Sequence, residues 1–183
     1  NSGTPGLGSV CLGTAGLCIG YSPTPVRDPN GKCHVLGHPA GGYTMEGHAS
    51  AAASSFRWLR NSISQFEMTA ADVSGIDVYN IMSATAEKAP IGAKGTIFLP
   101  WLAGAACPHY NDQARGALIG MTLGTTKAEI LRAAMEGICF EMREMLDALK
   151  AAGFSDFTTL RVTGGAARSR LWNQIQANIY QCT

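Results

Sequence analysis

Two glycine turns carry the residues best suited to phosphate chemistry in this chain of 183 residues. The first, Leu12-Gly13-Thr14-Ala15-Gly16, lies between two short apolar runs and reads as a hairpin turn. Glycine lets backbone N–H groups approach phosphate oxygens closely, and the Thr14 hydroxyl adds a further donor. A Gly-Thr hairpin turn is also an ordinary structural turn, so the pattern alone leaves both readings open. The second, Thr163-Gly164-Gly165-Ala166, ends a predicted strand and opens a predicted helix. Its two missing side chains leave room for a flat ring or a sugar phosphate against the backbone. A helix N-terminus behind it would offer unpaired N–H donors and a dipole worth about 0.3–1 kcal/mol per nearby negative charge. No Lys-Ser/Thr follows, so this is not a Walker A loop, and the spacing is not GxGxxG. A structural turn accounts for it equally well.

The elements that must hold these turns follow from periodicity. Residues 9–12, 17–22 and 33–37 read as short strands separated by turn residues, and their close spacing predicts an antiparallel meander. The stretch 43–46 is too short to assign. From Ser50 the period changes: Ala52, Phe56, Leu59 and Ile63 share one helical face. A second helix is expected around 76–86, a loop over 88–94, an extended segment over 96–100 and a short apolar run over 117–121. The best-determined element is a helix over 127–152, with Leu131, Ala134, Ile138, Met142, Met145 and Leu149 on one face. Thr126 with Glu129 makes a capping box at its start, and Gly153 is placed to end it. A strand over 159–163 and a helix over 169–180, with Leu171, Ile175 and Ile179 as its buried stripe, complete a mixed α/β domain. A phosphate-sized turn in an N-terminal meander together with a Gly-Gly turn after a later strand is the layout of an actin-like ATPase lobe.

Composition narrows the setting. Hydrophobic residues make up 46% and charged residues 15%, which fits a packed domain whose surface is partly meant for another domain. A length near 180 residues buries roughly 70% of the unfolded chain's surface. The net charge of +1 gives no electrostatic case for nucleic acid or a membrane surface. No apolar run approaches the ~20 residues of a membrane span. The six cysteines are scattered without a CxxC pair, which speaks against a zinc site or a disulfide framework and for free thiols in a reducing, cytoplasmic compartment.

At this point a family resemblance enters. Gly116-Ala117-Leu118-Ile119-Gly120-Met121, seven residues, then Glu129-Ile130-Leu131-Arg132-Ala133-Ala134-Met135-Glu136 resembles the second signature of FGGY carbohydrate kinases at every constrained position. Phe98-Leu99-Pro100-Trp101-Leu102, Pro108-His109-Tyr110-Asn111-Asp112-Gln113-Ala114-Arg115 and Arg57-Trp58-Leu59-Arg60 resemble xylulokinase-like members in order and spacing. The opening turn resembles their phosphate loop, and Thr163 to Ser169 their adenosine motif. The resemblance covers essentially the whole chain.

It implies a lobe of the RNase H-like, actin-like ATPase fold, with residues 1–183 forming the truncated second domain of a two-domain kinase. The implied reaction is transfer of the γ-phosphoryl group of ATP, with Mg2+, to a sugar hydroxyl, D-xylulose first and ribulose, gluconate or glycerol as alternatives. A nucleotide-binding module without catalysis and an actin-like assembly protein are the competing readings. The catalytic Asp is expected upstream of Asn1, the sugar pocket in the chain's own N-terminal domain, and a further strand and helix beyond Thr183, so this stretch alone is expected to be inactive. Carried over by position, Gly13 and Thr14 face the phosphates, Gly164, Gly165 and Ala166 run along the nucleoside, Ser169 lies near the adenine, and Ala53, Ser54 and Arg57 close the far side. Uncovered faces of such a lobe are expected to favour self-association, so a homodimer is open. Ala15 stands where the family usually carries Gly or Ser, and Ala53 and Ser54 stand at positions that are often glycine. Ala105-Ala106-Cys107 stands where xylulokinases commonly carry Glu-Arg-Thr, which puts the specific sugar in doubt.

Other polar residues read as structural. His34, His38, His48 and His109 have no metal-ligand spacing, and His109 reads as a hydrogen-bonded loop residue. Asp112 with Arg115 reads as an ion pair, Glu136 and Glu141 as solvated positions on the long helix, Glu136 also, by its place in the family signature, as helix support, and Trp58, Trp101 and Trp172 as core anchors. Arg168 reads either as a phosphate contact or as a solvated residue at a helix start.

Overall fold

The computed structural model describes residues 6–154 and 157–182. Alternating apolar residues build a five-stranded sheet, with β1 (Leu7–Leu12) and β2 (Gly16–Ser22) joined by the first glycine turn. The next strands are β3 (His34–Gly37) and β4 (Tyr43–Ala49). The meander expectation is corrected here. β4 inserts between β2 and β3, giving the order β3-β4-β2-β1-β7, where β7 is Thr159–Gly164. The strand missed in the sequence is therefore central. From Met45 to Ala49 its burial alternates residue by residue, but Glu46, Gly47 and His48, with Thr44 before them, mask that alternation.

Helix α1 (Ala53–Ile63) follows β4 and buries Phe56 and Leu59. A helix that the periodicity did not reveal, α2 (Gln65–Ser74), comes next; its apolar residues Phe66, Met68 and Val73 are exposed, so it carries no apolar stripe facing the core. Helix α3 (Val78–Glu87) starts where Asp77 caps it by accepting the Tyr79 N–H at 2.7 Å. β5 (Ile97–Leu99) and β6 (Ala117–Ile119) form a separate antiparallel two-stranded ribbon.

The core is organised by α4 (Lys127–Ala151), whose predicted face, Leu131, Ala134, Ile138, Met142, Met145 and Leu149, is completely buried. Burial of each such side chain contributes roughly 1.5–3 kcal/mol. The helix lies against β5 so closely that a Cβ at Gly137 would land on the Phe98 carbonyl oxygen. The Glu129 carboxylate accepts from the Thr126 N–H at 2.6 Å and its hydroxyl at 3.0 Å, and Lys94 reaches it at 2.7 Å. The Lys94 ammonium first, then the Thr126 N–H, lower its pKa to about 2. At the other end Gly153, at φ +99°, closes the helix, with the Phe154 N–H donating to the Leu149 carbonyl at 3.2 Å.

β7 (Thr159–Gly164) then pairs with β1 in parallel, and α5 (Arg170–Tyr180) packs on α4. The buried stripe of α5 is Trp172, Ile175, Gln176 and Tyr180; Leu171 and Ile179 are only half-buried at its margins, so the predicted stripe is rotated by about one residue. Three further readings change. Trp58 is exposed rather than a core anchor. Glu136 and Glu141 are buried, the first paired with Arg132 at 2.7 Å. Arg115 donates to the main-chain carbonyls of Asp112 and Ala114, both at 2.7 Å, instead of to the Asp112 carboxylate. His109 bonds Glu144 at 3.0 Å, and no helix among the described residues is long and apolar enough to cross a membrane.

Candidate functional site

The two glycine turns, about 150 residues apart in sequence, become neighbours because β1 and β7 run side by side in parallel with Leu12 opposite Gly164. Both turns leave the sheet at the same end. Gly164 makes the contact possible: at φ +89° and ψ −176° it occupies backbone space open essentially to glycine alone. A Cβ there would also strike the Leu12 carbonyl.

The first turn is fixed through its carbonyls. The Ala53 N–H donates to the Gly13 carbonyl at 3.0 Å, and the Ala52 N–H donates to the Thr14 carbonyl at 3.1 Å. The Ser54 hydroxyl adds a bond to the same Thr14 oxygen at 2.7 Å. The turn thus caps α1 and satisfies N–H groups that a helix start leaves unpaired. The exposed Thr14 hydroxyl has no hydrogen-bond partner among the described residues.

The second turn differs from the sequence reading. A short 3-10 turn, Gly165–Arg168, separates Gly164 from α5, and Ser169 caps that helix by accepting the Trp172 N–H at 3.3 Å. The free helix N-terminus expected directly behind the glycines is therefore not there. Gly165 is open: a Cβ on it would have nothing within 4 Å.

Between the turns lies a cavity of about 360 Å³, within the range of small-molecule sites. Gly13, Thr14, Ala53, Ser54, Arg57, Gly165, Ala166 and Ser169 all line it. Of the residues singled out in the sequence, only Gly164 does not; it supports the wall from behind. Arg168 also lines the cavity and, like Arg57, forms no ion pair among the described residues, which leaves two guanidinium groups available to an anion. The apolar part is Phe56, Tyr79 and Trp172, with Phe56 edge-on to Trp172 at 5.0 Å and stacked on Tyr79 at 6.3 Å.

The wall formed by α3 was missed in the sequence. Asp77, Tyr79, Asn80 and Ser83 line the cavity, and Ser83 meets Ser169 hydroxyl to hydroxyl at 3.3 Å. No motif marks these residues; the one local signal is Asp77 as an N-cap, which locates the helix but not what it faces.

The cavity offers an anion two guanidinium groups and the Thr14 hydroxyl, and leaves open space at Gly165. Residues 8–183 match the profile described as the FGGY family of carbohydrate kinases, C-terminal domain. The chain is 34% identical to a xylulose kinase of Bacillus subtilis (strain 168) over 171 residues, covering 92% of this chain and 32% of that protein. It is also 34% identical to a glycerol kinase of Gloeobacter violaceus over 179 residues, covering 96% of the chain and 34% of the relative. The crystal structure of a gluconate kinase from Lactobacillus acidophilus superimposes with a TM-score of 0.84 at 25% identity, over 100% of this chain and 35% of that one. The chain spans about a third of the length of these relatives. With its mixed α/β sheet, its paired glycine turns and its signature around α4, the chain belongs to the FGGY family of carbohydrate kinases, in that family's C-terminal domain.

Proposed function

We propose that this chain is the ATP-binding lobe of a carbohydrate kinase that transfers the γ-phosphoryl group of ATP to a sugar hydroxyl, with D-xylulose the first substrate to test. The observation that carries the reading is the parallel pairing of β1 with β7, which brings Gly13-Thr14 and Gly165-Ala166 to one cavity with two unpaired arginines. ATP, with Mg2+ on its phosphates, supplies the transferable group. The chain's own residues bind and orient it. Thr14 donates its free hydroxyl at the phosphate end, and Arg57 and Arg168 add positive charge. Gly165, Ala166 and Ser169 receive the nucleoside against the backbone, and Ala53 closes the opposite wall. Such positioning and charge stabilisation make up most of what a protein contributes to phosphoryl transfer.

The general base, an Asp, and the sugar pocket are placed outside these residues, in an N-terminal domain that closes on this one. No residue here is assigned to the metal. A cytoplasmic location fits the described cysteines, all of them free. The test is calorimetry of ATP and ADP with this chain and with Gly165→Trp, which fills the cavity from an open position. Binding that the variant abolishes supports the reading; binding that survives it places the nucleotide elsewhere. The whole enzyme is then assayed with xylulose, ribulose, gluconate and glycerol in parallel, because the xylulose and glycerol kinase relatives stand at the same 34% identity. Sugar-dependent ADP release by the present chain alone would overturn the placement of the base outside it.

A further inference from the structure

The scattered cysteines do not stay apart. Cys33 and Cys107, separated by 74 residues, face each other with their sulfurs 3.9 Å apart. Cys33 closes the connection between β2 and β3, and Cys107 lies in the segment between β5 and β6. Both loops are held in place by bonds that do not involve sulfur. Asp28 accepts from the N–H groups of Asn30 at 2.9 Å, Cys33 at 2.8 Å and Lys32. The Cys107 N–H donates to the His48 carbonyl at 3.0 Å. The Tyr110 hydroxyl ties the two loops to each other by donating to the Lys32 carbonyl, next to Cys33, at 2.8 Å. Cys107 is buried, whereas Cys33 is half-buried and open to a small reagent. The contact between the thiols holds the Cys107 pKa down and pushes the Cys33 pKa up, so access rather than acidity makes Cys33 the sulfur that meets a reagent first.

We propose that Cys33 and Cys107 form a redox-responsive pair that a small-molecule disulfide of the glutathione type converts to an intramolecular disulfide, stapling the β2–β3 connection to the β5–β6 segment. The accessible Cys33 sulfur, passing its proton to the Cys107 sulfur it contacts, attacks one sulfur of the reagent and releases one small thiol, whose thiolate takes up the proton from Cys107. The Cys107 thiolate then attacks the Cys33 sulfur of the mixed disulfide and releases the second. The protein loses two electrons and two protons, and the reagent gains both as two thiols. This inference does not depend on the nucleotide reading; the pair lies away from the residues lining the cavity.

The test treats the folded chain with glutathione disulfide, alkylates the remaining thiols and maps unreduced peptides by mass spectrometry. The expected product is a Cys33–Cys107 cross-link, lighter by two hydrogens than the two free peptides, which dithiothreitol removes. Cys107→Ser, which lacks the resolving sulfur, should stop at a glutathione adduct on Cys33, and Cys33→Ser should leave Cys107 unmodified. If a variant fails to fold, the wild-type map still decides. Wild-type chain in which Cys33 stays free or ends as a stable adduct while half-buried Cys11 and Cys182 react, or in which Cys33 pairs with another cysteine, overturns the proposal.

Discussion

The two glycine turns that flank the cavity are built on opposite plans. The Gly13-Thr14 turn is held by its carbonyl side, where three donors from the start of α1 converge within 3.1 Å, and it leaves the Thr14 hydroxyl free. The Gly164-Gly165 turn divides its roles along the chain. Gly164 carries the strained backbone and the close approach to Leu12, and Gly165 faces open space. In each turn one group holds the fold and its immediate neighbour is left for a ligand. The difference is that the first turn separates the two roles by group, main-chain carbonyls against the Thr14 hydroxyl, and the second by residue.

The largest effect should come from breaking the second turn at its structural residue. Gly164→Val places a branched side chain at φ +89° against the Leu12 carbonyl, so a loss of more than ~3 kcal/mol is expected from strain and overpacking together. For a domain of this size that lowers Tm by roughly 10 °C, read by calorimetry. Gly165→Trp, one residue on, should leave Tm nearly unchanged and abolish ATP and ADP binding, because its side chain enters only the cavity. Equal loss of stability in both variants would erase the distinction between the two glycines.

That distinction was not legible in the sequence, where Gly164 and Gly165 form one motif. Their separation depends on the parallel register of β1 and β7, a contact across about 150 residues that no local pattern encodes. What local chemistry governs was readable: the apolar face of α4 from Leu131 to Leu149, its capping by Glu129 and its ending at Gly153. β4 was missed because Thr44, Glu46, Gly47 and His48 hide a strand buried between two neighbours. The buried Glu141 was misjudged because a helical position tells which face a residue is on only after the packing partners of every face are known. The α3 wall of the cavity was invisible for the same reason, and only the family resemblance pointed beyond the two turns to Ala53 and Arg57.

Neither turn contains a titratable side chain, so the pH dependence of stability must originate elsewhere, and Glu141 is its main expected source near neutrality. Burial first, then the Glu144 charge, raise its pKa from 4.5 to about 8, against a weaker lowering by the Trp101 hydrogen bond. A carboxyl raised on folding contributes stability fully present below pH 4.5 and lost progressively as pH rises through about 8. Glu141→Gln should remove that loss. At 1.36 kcal/mol per unit, less the cost of an unsatisfied amide, a gain of ~2 kcal/mol is expected at pH 9 and little at pH 5. Denaturant melts at the two pH values measure it, and they give the baseline against which the turn variants are compared. Glu129 acts in the opposite sense: its pKa is lowered to about 2, so its contribution is present above pH 4.5 and fades as acid approaches pH 2.

The smallest effects test the first turn, where structure and ligand share a residue. Ser54→Ala removes the hydroxyl that donates to the Thr14 carbonyl at 2.7 Å and should cost about 1 kcal/mol of stability. Thr14→Ala removes a hydroxyl with no partner among the described residues, so stability should stay within ~0.5 kcal/mol, as for surface substitutions generally. Its cost should appear instead as a roughly three- to tenfold weaker ATP affinity, the size of one lost hydrogen bond. Because Ser54 also lines the cavity, its variant should weaken ATP as well, but only in proportion to the loosened turn. The double variant separates the two. If Thr14 acts on the nucleotide and Ser54 on the turn, the stability losses add, and the double variant is no less stable than Ser54→Ala alone by more than the Thr14 increment. A Thr14→Ala chain that loses as much stability as Ser54→Ala, with unchanged ATP affinity, would make the first turn purely structural and leave Arg57, Arg168 and Gly165 as the nucleotide contacts.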